Sequence, residues 1–347
     1  VAPVSSFGMK LRSLTKALTT VAGVLFLALV ALFIYAQITL SSSYLLLPDS
    51  PHALAPLVKV KDGHTNNKGG IYFVDVIERR ATLAERYLPF LRRDTTLVSK
   101  QDLGPSNVSE KERARVDAAS MARSKKIAES LALRSLGYKV VIRPRGALVE
   151  QTAPGTPASR KLLPGDVITA IDGKPTLKFT KLHALITKHR VGQLVKLTFS
   201  RNGRQRQVAL RTIASSSAPR VGLIGVVVTQ AASVKLPIGV TIDAGNVGGP
   251  SAGLAFALEL SNKLGRDVDR GHRIAATGEL VLDGSVQPIG GVKQKVIGAR
   301  RAGIEIMLVP AGDNATEARR YAGSMKIIPV TSFQQALRAL ATAEQKR

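Results

Sequence analysis

Gly248-Gly249-Pro250-Ser251-Ala252-Gly253 and, further on, Gly290-Gly291-Val292-Lys293-Gln294-Lys295 are the two stretches that decide how this chain reads. The first sets a serine in a glycine-flanked turn ahead of a helical pattern. The second sets two lysines in the first turn of another helix. The chain has no cysteine, and His272 is the one histidine after the serine. A nucleophilic serine here therefore needs an amine as its base, which points to Ser/Lys rather than Ser/His/Asp chemistry.

Small residues around Ser251 let a carbonyl approach the backbone. The N–H groups of Gly249, Ser251 and Ala252, at a helix start, are candidate donors to an oxyanion. The plainer reading of Ser251 is a helix N-cap. The run also fits G-x-S-x-G, the nucleophile elbow of α/β-hydrolase esterases. His272 follows too closely to leave room for that fold's intervening elements. A lysine base needs its pKa lowered by burial or nearby positive charge. Periodicity does not choose between Lys293 and Lys295, which flank the apolar set Val292, Val296, Ile297 and Ala299. Either also reads as a surface lysine with a buried stem.

At 347 residues with 45% hydrophobic content, the chain is long enough for two or more cored domains. The lack of cysteine excludes disulfides, thiolate metal sites and cysteine catalysis. No metal or cofactor is expected. The net charge of +26 reads either as a solvated basic surface or as contact with a polyanion, anionic lipid or wall polymer. Nucleic acid is not an expected partner, because Tyr and Phe are sparse and no basic run is interleaved with aromatics.

Residues 17–40 carry no charge and are long enough to span a bilayer. A cleaved signal peptide competes, but its apolar region is usually shorter, and no clear A-x-A site follows Tyr35. Lys10, Arg12 and Lys16 precede the span, and Asp49 is the first charge after it. That bias puts residues 1–16 in the cytoplasm and the rest outside, with the lipid bilayer a partner through residues 17–40. Val1 in place of Met leaves Met9 as a second candidate start.

Residues 41–68 read as a stalk rich in Ser, Pro, Asn and His. A strand is expected at 70–77, and a helix over 109–136 with Ser109 as its N-cap. A second unit, 137–214, has turns at Pro154-Gly155, Asp172-Gly173 and Asn202-Gly203 between short apolar strands, and an amphipathic helix marked by Leu182, Leu185 and Ile186. Residues 214–219 read as a linker. A third unit, 220–347, alternates strands (238–242, 274–281, 306–309) with helices (251–264, 292–302 and one from near Ser332). The fold class is α+β.

The runs Pro154-Gly155-Thr156-Pro157-Ala158 and Leu163-Pro164-Gly165-Asp166-Val167-Ile168-Thr169-Ala170-Ile171-Asp172-Gly173 resemble those of bacterial protease-associated PDZ domains. The resemblance implies a groove that takes up extended peptide by strand addition, with Gly146, Ala147, Leu148 and Val149 as the receiving strand. The alternative is a groove filled from within the chain.

Residues 238–310 resemble the proteolytic domain of Lon-type Ser/Lys peptidases. The likeness lies in Gly249-Pro250-Ser251-Ala252-Gly253, Thr277-Gly278-Glu279 and Pro288-Ile289-Gly290-Gly291-Val292-Lys293-Gln294-Lys295, with Asn314 and Glu317 in a family-like position. It implies Ser251 as nucleophile, Lys295 as base and Thr277 as the group holding the lysine. Gly248 stands where many full-length members have Asp. No G-x-x-x-x-G-K-[ST] run occurs. The whole chain resembles membrane-anchored, PDZ-containing Lon-like proteases of bacteria. That implies an ATP-independent serine endopeptidase acting on polypeptides outside the membrane, with homo-oligomers common in the family. A catalytically dead, membrane-tethered PDZ scaffold is the alternative. Residues 69–136 resemble the beginning of a Lon proteolytic domain, so the PDZ unit is expected to be inserted within that domain.

Overall fold

Residues 5–61, 63–64, 69–88, 90, 94–100, 102–103, 109–215, 219–245 and 247–345 are described by a computed structural model. The chain opens with α1 (Ser5–Ile38) and β1 (Leu40–Pro48), followed by β2 (His52–Ala53), β3 (Val58–Val60) and β4 (Gly70–Phe73). Next come β5 (Val76–Thr82), α2 (Leu83–Tyr87), β6 (Thr96–Val98) and the long α3 (Glu110–Ser135). The middle of the chain forms β7 (Val141–Thr152), β8 (Val167–Ile171), β9 (Lys174–Pro175), α4 (Phe179–Ile186), β10 (Leu194–Arg201) and β11 (Arg204–Arg211). Two short strands, β12 (Ile213–Ala214) and β13 (Gly222–Leu223), precede the long β14 (Val226–Lys235). The remainder is β15 (Val240–Ile242), α5 (Gly253–Lys263), β16 (Arg273–Ala276), β17 (Glu279–Leu280), β18 (Val286–Gln287) and α6 (Val292–Arg301), then β19 (Ile306–Pro310), α7 (Asp313–Tyr321), β20 (Lys326–Val330) and α8 (Phe333–Ala341).

Two compact units result, one from residues 1–47 and 77–103, the other from 48–76 and 104–347. In the first, Leu18–Ile38 of α1 has a mean hydropathy of 2.5 and none of it is buried, the length and composition of a bilayer-crossing helix. Residues 5–16, expected as a separate tail, continue the same helix, while residues 1–4 lie outside the described residues. A three-stranded sheet, β5-β1-β6, follows. The Arg80 guanidinium pins β5 to β1 through the Ser41 carbonyl. Thr82 and Glu85 form a reciprocal capping box at the start of α2.

The second unit is built on the sheet β2-β4-β16-β19-β20, whose last four strands are parallel. β19 is buried along its whole length because helices cover both faces. Its alternation shows this: Ile306 and Leu308 join the core with α3, α5 and α8, and Met307 and Val309 join the core with α6 and α7. Phe73 and Phe256 meet in the first of these cores, with ring centroids 6.0 Å apart. Burial of each contributes about 1.5–3 kcal/mol.

The stalk expected over 41–68 is not one. Leu54 and Val58 are fully buried in the main core, β2 pairs with β4, and β3 pairs with β15. Polar, Pro-containing composition hid two strands too short to show a period; residues 62 and 65–68 of this stretch lie outside the described residues. The strand expected at 70–77 breaks after Phe73, and β5 belongs to the other sheet. The strand expected at 238–242 is shorter and lies off the parallel sheet, against β3.

Residues between α3 and β14 fold into a sheet of order β11-β10-β8-β7-β14, with its own core of Val149, Ile168, Leu182, Ile186, Leu197 and Phe199 among others. The Asn202-Gly203 turn has φ of 57° and 75°, the left-handed pair a two-residue hairpin needs. Segments on either side of this sheet in the chain share one core. β4 lies before it and pairs in parallel with β16 after it, Ile71 opposite Ile274. Met121, Ile127, Ala128 and Leu131 of α3 pack with Leu254 and Leu258 of α5. Of the linker expected at 214–219, residues 216–218 lie outside the described residues.

Candidate functional site

The serine turn is held from α3. The Gly249 N–H donates to the Asp117 carbonyl (3.0 Å), and Ser124 Oγ donates to the Pro250 carbonyl (2.9 Å). A Cβ on Gly253 would lie 2.6 Å from Ser124 Oγ, so glycine there sets how closely α5 approaches α3. α5 begins at Gly253 with Ala252 as its cap residue and no side-chain capping bond, so Ser251 is not a helix cap. The Ser251 carbonyl instead accepts from the Gly278 N–H (2.8 Å) and from Thr277 Oγ1 (3.2 Å). These two bonds tie the serine to the end of β16.

α6 brings in the lysine. Val292, Val296 and Ala299 anchor its inner face in the core, and Lys295 between them is 4% exposed. Lys295 Nζ lies 2.8 Å from Ser251 Oγ and 3.3 Å from Thr277 Oγ1. Burial pushes its pKa down to about 8, against the pull of the Asp75 charge. Of the two lysines that periodicity left open, Lys295 faces Ser251, whereas Lys293 Nζ sits 5.6 Å from the Tyr321 ring centroid, on α7. Asn314 exchanges two hydrogen bonds with the Ile289 backbone, bracing the entry to α6. Glu317 is half-buried on α7.

Two sequence expectations fail. The Gly249 amide cannot serve an oxyanion, because the Asp117 carbonyl occupies it. The amides of Ser251 and Ala252 have no acceptor among the described residues. The hydrolase-elbow alternative also fails for want of a base: both His272 ring nitrogens are engaged, by Glu305 and by the Glu344 carbonyl, each at 2.8 Å.

Residues 212–342 match the profile of the Lon protease (S16) C-terminal proteolytic domain, and residues 134–212 that of the PDZ domain. This chain carries a Lon-type proteolytic domain and a PDZ domain. Over 62 residues it is 55% identical to Lon protease 2 of Thermus thermophilus, covering 18% of this chain and 8% of the relative. Over 95 residues it is 41% identical to Lon protease of Clostridium beijerinckii, covering 26% and 12%. The chain therefore spans about a tenth of these relatives. Among solved structures it is similar to the PDZ domain of the SdrC-like protein from Listeria monocytogenes, at 24% identity and a TM-score of 0.23, covering 24% of this chain and 88% of that one.

The strand that the sequence suggested as the peptide-receiving edge of the PDZ domain is already paired on both sides. Gly146, Ala147, Leu148 and Val149 are buried in β7, and both edges of that strand are taken. β8 pairs with one edge and β14 runs antiparallel along the whole of the other. β14 also packs on α4, and the Gln230 amide bonds Gly146, Leu177 and Phe179 of the PDZ backbone. No sequence signal marked β14, because its partner strand lies far back in the chain. The PDZ and Lon-type domains meet again at Arg123 of α3, 3.6 Å from Glu150 of β7 and 3.5 Å from Glu279 beside the Thr277-Gly278 turn.

Proposed function

We propose that the protein is an ATP-independent, membrane-anchored serine endopeptidase acting through a Ser251/Lys295 dyad. The observation that carries this reading is the 2.8 Å approach of Lys295 Nζ to Ser251 Oγ inside a buried site. Neutral Lys295 takes the hydroxyl proton as Ser251 attacks the scissile carbonyl, then returns a proton to the departing amine. Thr277 accepts from Nζ and fixes the amine's direction. The Ser251 and Ala252 amides face the developing oxyanion. Water then attacks the acyl-enzyme, with Lys295 again the base.

α1 serves as the anchor, with its basic N-terminal flank in the cytoplasm and the two domains outside, where polypeptides are the substrates. ATP independence rests on that location, outside the compartment that holds ATP. Extended peptide pairs with the outer edge of β14, which has no strand partner among the described residues. The test is cleavage of denatured casein by the full chain in detergent: Ser251→Ala abolishes it. Equal cleavage, or equal inertness, of wild type and variant would sink the reading in favour of a tethered scaffold.

A further inference from the structure

The carboxyl ends of the parallel strands carry a second group of ionisable side chains beside the Ser251/Lys295 site. β4 and β16 run side by side, with Phe73 paired to Ala276. The residues that follow them, Val74-Asp75 and Thr277, therefore leave the sheet together. Val74 packs with Val292 and Val296, the residues that flank Lys295 on α6. Asp75 comes next in the chain and is half-buried.

Two more residues are brought in by the short β2. His52 pairs with Phe73 across the β2–β4 ladder and stacks on its ring at 4.7 Å. Its Nε2 lies 3.3 Å from Asp75 Oδ1 and 3.7 Å from Asp49 Oδ2. The Asp49 segment in turn lies against α6 so closely that a Cβ on Gly298 would collide with the Asp49 carbonyl oxygen. The trio is thus fixed on the helix that bears the lysine, and nothing in the serine mechanism uses it.

We propose that Asp75, held in place by His52, is the positioning carboxylate that stabilises the ammonium form of Lys295, so that the lysine can act as general acid as well as base. The dyad makes opposite demands on one amine. It must be neutral to take the Ser251 proton and charged to protonate the leaving amine. Burial alone favours the neutral form. A single carboxylate beyond the reacting atoms restores the charged form without touching substrate. Among the described residues, Asp75 is the charged group that pulls the Lys295 pKa upward, against burial. Asp75 itself lies beside His52 and feels the charges of Asp49 and Lys295, and burial raises its own pKa. His52 matters because a carboxylate free to swing toward water would lose its effect on the lysine.

The inference rests on Lys295 being the base, and its test is built to fail separately. The Lys295 ammonium is titrated by NMR in the full chain in detergent with 13C-labelled lysine, its signal assigned by Lys295→Met. Asp75→Asn lowers the Lys295 midpoint by about one unit, the low end of the effect of removing an opposite charge. His52→Leu moves it the same way by less, and His52→Gln, which keeps a polar group beside the carboxylate, leaves it in place. An unmoved midpoint in folded Asp75→Asn, with folding checked by the melting curve, overturns the inference whatever the activity. In parallel, the acid limb of casein cleavage against pH shifts down with the NMR midpoint in Asp75→Asn. If cleavage proves independent of Ser251 while the titration shifts, the peptidase reading falls and the Asp75–Lys295 coupling stands.

Discussion

Ser124 Oγ donates a 2.9 Å hydrogen bond to the Pro250 carbonyl, joining a helix that precedes the PDZ domain to the residue before the candidate nucleophile, 126 positions later. With Asp117 accepting from Gly249, it makes α3 the support of the serine turn. The PDZ domain interrupts the sequence between support and turn without interrupting the core they share.

Ser124→Ala removes that bond and leaves the Pro250 carbonyl without its donor. Expected are a loss of about 1 kcal/mol in stability and a fall of several-fold in kcat on casein with KM little changed. A full steady-state comparison checks this. An unaltered kcat would mean that the turn is held by the Asp117 bond alone.

Activity should rise with pH through about 8, where burial has placed the Lys295 titration. The sign follows from the depressed value: below it the lysine is an ammonium and cannot accept the Ser251 proton, above it the free amine can. Lys295→Arg is expected to be inactive across this range, because a guanidinium keeps its proton. A pH-rate series on both proteins is the measurement, and appreciable turnover by the arginine form would remove Lys295 from the role of base.

Glu259, on α5 behind the serine, is fully buried, and its Oε2 has no hydrogen-bond partner among the described residues. Burial pushes its pKa up to about 7, with Lys263 opposing and Asp269 adding to the rise. The folded state holds this proton when the unfolded chain has already released it. Stability from this group is thus present below pH 4.5 and lost as pH rises to about 7, by about 3 kcal/mol at most. Glu259→Gln should melt higher than wild type at pH 8, with the gap closing by pH 4. Melting curves that stay parallel across that range would contradict the assignment.

Hydrogen exchange distinguishes the two candidate edges of the PDZ domain. A casein-derived peptide that binds should slow alternate amides of β14 and leave Gly146–Val149 of β7, already paired on both sides, unchanged. Protection gained in β7 instead would mean that β14 is displaced to open the groove.

Much of the candidate site was legible before the fold. With cysteine absent and His272 too near, the glycine-flanked Ser251 required an amine, and the Gly290-Gly291 helix offered two. Periodicity does not choose between Lys293 and Lys295, since each flanks one side of the apolar set Val292, Val296, Ile297 and Ala299. Only the packing of α6 on the sheet sends Lys295 inward to Ser251 and Lys293 outward to Tyr321. Local pattern likewise marked α3, β19 and the Asn202-Gly203 turn, because helix periodicity, an apolar run and turn chemistry act between neighbours in the chain. β2, β3 and β14 escaped because a strand is completed by a partner distant in sequence, and the two or three residues of β2 and β3 carry no period of their own. The same holds for the Gly249 amide, spent on Asp117, and for His52 and Asp75, which meet only because β2 and β4 pair. Residue types and spacing determined which chemistry was open to this chain; the tertiary fold decided which atoms meet, because contact between distant segments depends on how their buried faces pack.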